Sequence, residues 1–158
     1  MIRAARPEDA ARISEVLVAS ITGLCAADHH DDPARIARWL ADKTPEGVAA
    51  MIAAPGGRLY VAGRGRIEAV GAIDWAGQAP DAGKITLLYV DPEARRQGLS
   101  AALLAAMEAE LVAMGRTNGL LTATATAFAF YRHHGWHAAG PAREGRWILG
   151  HPMRKTLG

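Results

Sequence analysis

Residues 84–107 read KITLLYVDPEARRQGLSAALLAAM, and this order of strand, tight turn and helix constrains the fold more than any other stretch. Ile85 to Val90 is an apolar, β-branched-rich run of strand length, and Asp91-Pro92 stops it. Its faces alternate as Ile85, Leu87 and Tyr89 against Thr86, Leu88 and Val90. Both are mostly apolar, which predicts a strand buried on both sides. Leu99, Leu103, Leu104, Met107, Leu111 and Met114 then recur with the 3.6-residue period of a helix, and Gly115 stands where its C-terminus wants a left-handed residue.

The junction, Arg95-Arg96-Gln97-Gly98-Leu99-Ser100 and on to Ala101, carries chemistry. A helix start leaves about four backbone N–H groups unpartnered and bears roughly half a positive charge. Gly98 has no Cβ, so an anion can approach the backbone, and Arg95 and Arg96 add formal charge. These features suit a pyrophosphate. The plainer alternative is an ordinary strand–helix turn with solvated arginines.

At 158 residues the chain is long enough for one domain, residues 1–158, with a real core. A net charge of +2 with interspersed signs argues against a nucleic-acid or membrane-surface binder. Cys25 is the only cysteine, which fits a reducing cytoplasm. The N-terminal MIRAARPEDA lacks the apolar core of a signal peptide, and no apolar run is long enough for a membrane span.

Along the chain, Met1 to Ala5 reads as a strand, and Arg6-Pro7-Glu8-Asp9 opens a helix with Ile13, Val16, Leu17 and Ile21 as its buried stripe. CAADHHDD, residues 25–32, reads as a polar loop. Helices follow from Pro33, with Trp39 on the apolar side, and from Thr44-Pro45 to Ala54. Arg58–Gly63 and Ile67–Trp75 form a hairpin, with Glu68 where a dinucleotide GxGxxG would need its third glycine. Gly77–Gly83 is a loop. After the central unit come a strand at Leu120–Thr124, a helix at Thr126–His134, strands at Trp136–Ala139 and Trp147–Met153, and a polar tail from Lys155. This order predicts an α/β or α+β fold: one mixed, twisted sheet of about seven strands with helices on both faces.

A second motif is ATATAFAFYRHHGW, residues 123–136, with Ala127, Phe130, Tyr131, Gly135 and Trp136. Together the two motifs resemble motifs A and B of the GCN5-related N-acetyltransferases, the GNAT superfamily. Motif A, Q/R-x-x-G-x-G/A, stands here as Arg95-x-x-Gly98-x-Ser100, preceded by the LYVDP lead-in typical of that family. Ser100 departs from the Gly/Ala position. The resemblance implies acetyl-coenzyme A as co-substrate and no metal. It implies pyrophosphate at Arg95 to Ala101, pantetheine along Leu88, Tyr89 and Val90, and further contacts from Thr124 and Phe130. It gives Tyr131 the role of general acid toward the leaving thiolate, against the plainer reading of a structural tyrosine. It also implies direct attack of a primary amine on the thioester, with an N–H near Val90 polarising the carbonyl.

For the base, Asp74 at a strand end and His29 and His30 in the polar loop are candidates, although each has an ordinary structural reading. Trp75 and Trp39 are candidates for lining an acceptor site, with core packing as the default. The loops 22–33 and 75–83 are expected to shape that site. Asp28, His29, His30, Asp31 and Asp32 lack the paired spacing of a zinc site, and Cys25 lacks a spaced triad. The acceptor is a small molecule or a peptide, and the protein a monomer or homodimer. The rival readings are a non-catalytic acyl-coenzyme A sensor on the same fold and an unrelated nucleotide-phosphate binder.

Overall fold

The computed structural model describes residues 1–158. Strand β1 (Ile2–Ala4) leads through a 3-10 turn at Pro7–Asp9 into α1 (Ala10–Leu24), followed by α2 (Ala26–His29), α3 (Pro33–Leu40) and α4 (Pro45–Ala53). Strands β2 (Gly57–Ala62), β3 (Ala69–Asp74) and β4 (Ala82–Val90) form a meander, and a second 3-10 turn at Pro92–Ala94 leads to α5 (Leu99–Ala113). The chain closes with β5 (Asn118–Ala123), α6 (Phe128–His133), β6 (His137–Ala138), β7 (Arg143–Glu144) and β8 (Leu149–Thr156). The sheet runs β1-β2-β3-β4-β5-β8-β6, with β7 also on β8. Only β4 and β5 pair in parallel.

Two apolar layers sandwich the sheet. On one face α5 lays Leu103, Leu104, Met107 and Leu111 over Tyr60, Ile73, Ile85 and Leu121. On the other, Ile13, Val16 and Leu17 of α1 and Val48 of α4 cover Leu59, Val61, Val70 and Ala72. Each fully buried Leu or Ile is worth about 1.5–3 kcal/mol relative to an exposed one, so both layers are strongly held. Helix α5 sits so close that a Cβ at Gly83 would run into the Leu111 side chain. No helix is long and apolar enough to cross a membrane.

The central strand departs from its predicted pattern. Ala72 pairs with Leu87 but Ile73 pairs with Ile85, so Thr86 is an extra residue in the ladder, a β-bulge. Beyond it the faces exchange. Ile85 shares the α5 side with Leu88 and Val90, while Leu87 and Tyr89 join the α1 side. Nor is the strand buried throughout: Thr86 is exposed and Leu87 to Val90 are half-buried. The cause is the neighbouring strand, since β4 and β5 pair only from Ala82/Asn118 to Ile85/Leu121 and then separate.

Two other expectations are corrected. The polar segment 25–32 contains a helical turn, because Asp28 and His29 find buried partners. Lys155 is not in a tail: β8 runs to Thr156, Lys155 Nζ lies 2.7 Å from Glu108 Oε1, and Leu157 is buried.

Candidate active site

The bulge at Thr86 and the end of the β4–β5 ladder coincide, and a slot opens there. It is lined by Ile85 to Tyr89 on one side and by Thr122 to Thr124, Ala127 and Tyr131 on the other. Asp91 N donates to Glu68 O on the β3 side. Backbone alternation therefore turns the N–H groups of Leu88 and Val90 away from β3, into the slot, where no strand receives them.

After the slot-lining end of β4, the 3-10 turn at Pro92–Ala94 leads the chain to the start of α5. Arg96 and Gly98 both have left-handed backbone, with φ of 66° and 76°. The N–H groups of Gln97 to Ala101 make no hydrogen bond within the chain, and Gly98, the N-cap, offers no side-chain oxygen. Successive free N–H groups in such a turn make an anion-binding concavity, and the helix dipole adds to it. Arg95, Arg96 and Gln97 are exposed around it. A Cβ at Gly98 would touch nothing, so its backbone angle rather than crowding is what requires glycine.

Tyr131 projects from α6 into the slot wall, with its ring edge-on to Phe130 and Trp136. Its hydroxyl makes no hydrogen bond within the chain, and burial raises its pKa well above the usual phenol value, so it holds its proton. Thr124 lines the slot and its Oγ1 accepts from Ala127 N at 3.0 Å, fixing the turn into α6. Lys155 Nζ donates to His134 O at the other end of that helix. Tyr89 lines the slot too, and burial likewise raises its phenol pKa.

Through Ile85–Leu87, Tyr89 and Thr122–Thr124 the slot joins a larger cavity of about 590 Å³ on the α1 face. Trp39, Asp42 and Lys43 form one wall, the end of α4 another, and residues 145–150 a third. Asp74 lines this cavity, its Oδ2 accepting from Gln78 Nε2 at 2.9 Å.

Of the other acceptor candidates, His29, His30 and Trp75 lie outside the cavity. His29 is fully buried and packs against Trp39. Its Nδ1 accepts from Asp31 N at 3.0 Å, so Nε2 carries the proton and donates to Ile21 O at 2.8 Å. Both nitrogens are used, which removes it as base or substrate ligand. His30 is exposed in left-handed backbone outside the cavity. Trp75 packs on the α5 face under Arg58, whereas Trp39 does line the cavity. Neither segment 22–33 nor 75–83 contributes to its walls. Cys25 is buried with its thiol pKa pushed up to about 12, chiefly by desolvation, and is no nucleophile. No group of His, Cys, Asp and Glu is placed to hold a metal.

Three features escaped the sequence. Asp28 accepts from Ala125 N, Thr126 N and Thr126 Oγ1 at 2.6, 3.2 and 2.6 Å, fastening α2 to the turn after β5. Arg116 Nη1 donates to the carbonyls of Trp75, Ala79 and Ala82, shaping the loop before β4. Trp147, read as part of a strand, lies before β8 in the cavity wall. Its aromatic ring between Gly145 and Gly150 was the available signal.

A family profile described as an acetyltransferase (GNAT) domain matches residues 25–157. The chain belongs to the GNAT acetyltransferases. A GCN5-related N-acetyltransferase from Rhodopseudomonas palustris superposes with a TM-score of 0.84 at 26% identity, over 99% of this chain and 95% of that one. PaiA N-acetyltransferase from Thermoplasma acidophilum, solved with coenzyme A, gives 0.82 at 17% identity, over 99% and 98%. A phosphinothricin acetyltransferase from Sinorhizobium meliloti, solved with acetyl-coenzyme A, gives 0.70 at 21%, over 100% and 88%. The last two likenesses are of fold alone. A comparison with curated protein sequences finds no match. In this GNAT chain Tyr131 lines the slot, the slot shares Ile85–Leu87, Tyr89 and Thr122–Thr124 with the cavity, and the free N–H groups at α5 follow β4 by a short turn in the chain.

Proposed function

We propose that this GNAT chain transfers an acetyl group from acetyl-coenzyme A to a primary amine by direct attack. The observation that carries the reading is the gap left where β4 and β5 part at Ile85 and Leu121, with unpaired backbone donors on one edge and Tyr131 on the other. The residues fit the co-substrate. A pyrophosphate suits the free N–H groups of Gln97 to Ala101 beside Arg95 and Arg96, and an extended amide chain suits the vacant edge of β4 at Leu88, Tyr89 and Val90, by strand addition. Thr124 lines that path, and Phe130 backs it through its edge-on contact with the Tyr131 ring.

The thioester supplies an activated acetyl carbon. The amine nitrogen bonds to that carbon, the C–S bond breaks, and its electron pair leaves with sulfur. In this reading a single free N–H on the vacant edge of β4, near Val90, donates to the carbonyl oxygen as it gains charge, and a donor fixed in advance stabilises such charge most. Tyr131 gives its proton to the departing sulfur, a role for which a phenol held protonated is suited. The amine's surplus proton goes to solvent or to Asp74 in the cavity wall.

The test is Tyr131→Phe, which keeps the ring and removes the hydroxyl. The chemical step, measured in a single turnover to avoid masking by product release, is expected to slow by about 100-fold or more, with acetyl-coenzyme A affinity unchanged. A folded variant with an unaltered chemical rate removes Tyr131 from the acid role.

A further inference from the structure

The charged groups around the cavity divide into those with partners in the chain and those without. Lys43, only 3% exposed, is ion-paired with Asp42 at 2.8 Å and lies over the Trp147 ring. Arg58 reaches Glu110 on the opposite face. Lys84 and Arg146 have neither an ion pair nor a hydrogen bond in the chain, and Asp74 has no cation. Lys84 is half-buried in the floor of the cavity, opposite Asp74 in the β3–β4 register, so both side chains rise from one face of the sheet. Arg146 is exposed at the rim, its guanidinium 4.4 Å from the Trp147 ring centroid.

We infer that the acceptor is a primary amine that also carries a carboxylate or comparable anion on an apolar or aromatic body, with the anion met by Lys84 and Arg146. The inference rests on the acetyl-transfer reading above and deepens it. A cationic group in a concave, partly dry wall attracts an anion more strongly than one on open surface. A guanidinium stacked on an indole keeps the edge of its plane free, and that edge matches a carboxylate with two parallel hydrogen bonds. Trp39, Trp147 and Leu87 supply apolar contact, and a volume of about 590 Å³ holds a small molecule or the end of a short peptide. With Asp42 already neutralised by Lys43, two unpaired cations face one unpaired carboxylate. A polyamine or other polycation therefore meets a wall of its own sign, while an amine bearing one anion meets both signs.

The experiment is thiol release and acetylated-product formation from acetyl-coenzyme A with matched acceptors. For both an aromatic α-amino acid and a straight-chain γ-amino acid, the carboxylate form is compared with its carboxamide and with a diamine of similar length, at equal free-amine concentration. Carboxylate acceptors are expected to lead in kcat/KM by about 10-fold or more, the scale of one half-buried charge pair, with the lead shrinking as salt is added. Lys84→Gln is expected to raise KM for carboxylate acceptors about 10-fold, leaving the carboxamide rate and the acetyl-coenzyme A KM unchanged. Arg146→Gln, at an exposed site that cannot unsettle the core, moves the same quantity in the same direction. Preference for the carboxamide or diamine, or variants that slow every acceptor equally, overturns the inference and leaves acetyl transfer standing. If no amine yields thiol and product, acetyl transfer itself fails and the inference with it.

Discussion

Replacing Gly98 with valine separates the anion cradle from the helix it sits on. Gly98 has φ of 76° and a Cβ there would touch nothing, so the fold loses only the left-handed penalty of roughly 1–2 kcal/mol, somewhat more for a branched side chain. The ligand loses more. A Cβ beside the free N–H groups blocks their approach, and relaxation of φ turns them away. One hydrogen bond to a charged group is worth about 1.5–3 kcal/mol. Acetyl-coenzyme A binding should weaken by at least about 2 kcal/mol, roughly 30-fold in Kd. Calorimetric titration measures this, with thermal unfolding recorded in parallel. Gly115, at the other end of α5, has φ of 78° and is likewise clear of neighbours, so Gly115→Val carries the same backbone penalty without touching the cradle. Unchanged affinity in folded Gly98→Val, or equal weakening in Gly115→Val, refutes the assignment of the pyrophosphate to residues 95–101.

Asp28→Ala leaves the Ala125 and Thr126 N–H groups without their acceptor and should destabilise the fold by about 1–3 kcal/mol in urea unfolding. Cys25, buried with a thiol pKa of about 12, should resist alkylation at neutral pH until the chain unfolds. Stability should fall at the acid and at the alkaline end of the pH range. The Asp9 carboxyl is held below its ordinary pKa by Arg3, and that of Asp91 by the Glu93 N–H and then Arg12, so both stabilise above about pH 4 and cease to as pH falls through their folded values. Burial raises Tyr89 and Tyr131, so their contribution is intact below about pH 10 and is lost as pH climbs toward their folded values. Denaturant midpoints across pH check both limbs.

The sequence made legible what depends on neighbours in the chain. The period of Leu103, Leu104, Met107 and Leu111 and the glycine at 98 speak for themselves, because helix faces and left-handed turns are local. The Thr86 bulge was hidden, because it shows only in how β4 pairs with β3, and an unbroken apolar run cannot reveal a register shift. The site around the acceptor was hidden for a similar reason. Asp28 meets Ala125 and Thr126 across nearly a hundred residues, and His29 looked like a loop histidine only because Ile21 and Trp39 do not announce themselves as its partners. The cavity walls come from the ends of α3 and α4 and from residues 145–150, three segments that have nothing in common except where the sheet brings them.

Thiol release from acetyl-coenzyme A, followed with and without a primary amine, with the product identified by mass, bears most directly on the account. Amine-dependent release with one acetylated amine formed per thiol is the predicted result. Release at the same rate without amine, or tight binding with no release for any amine, contradicts it.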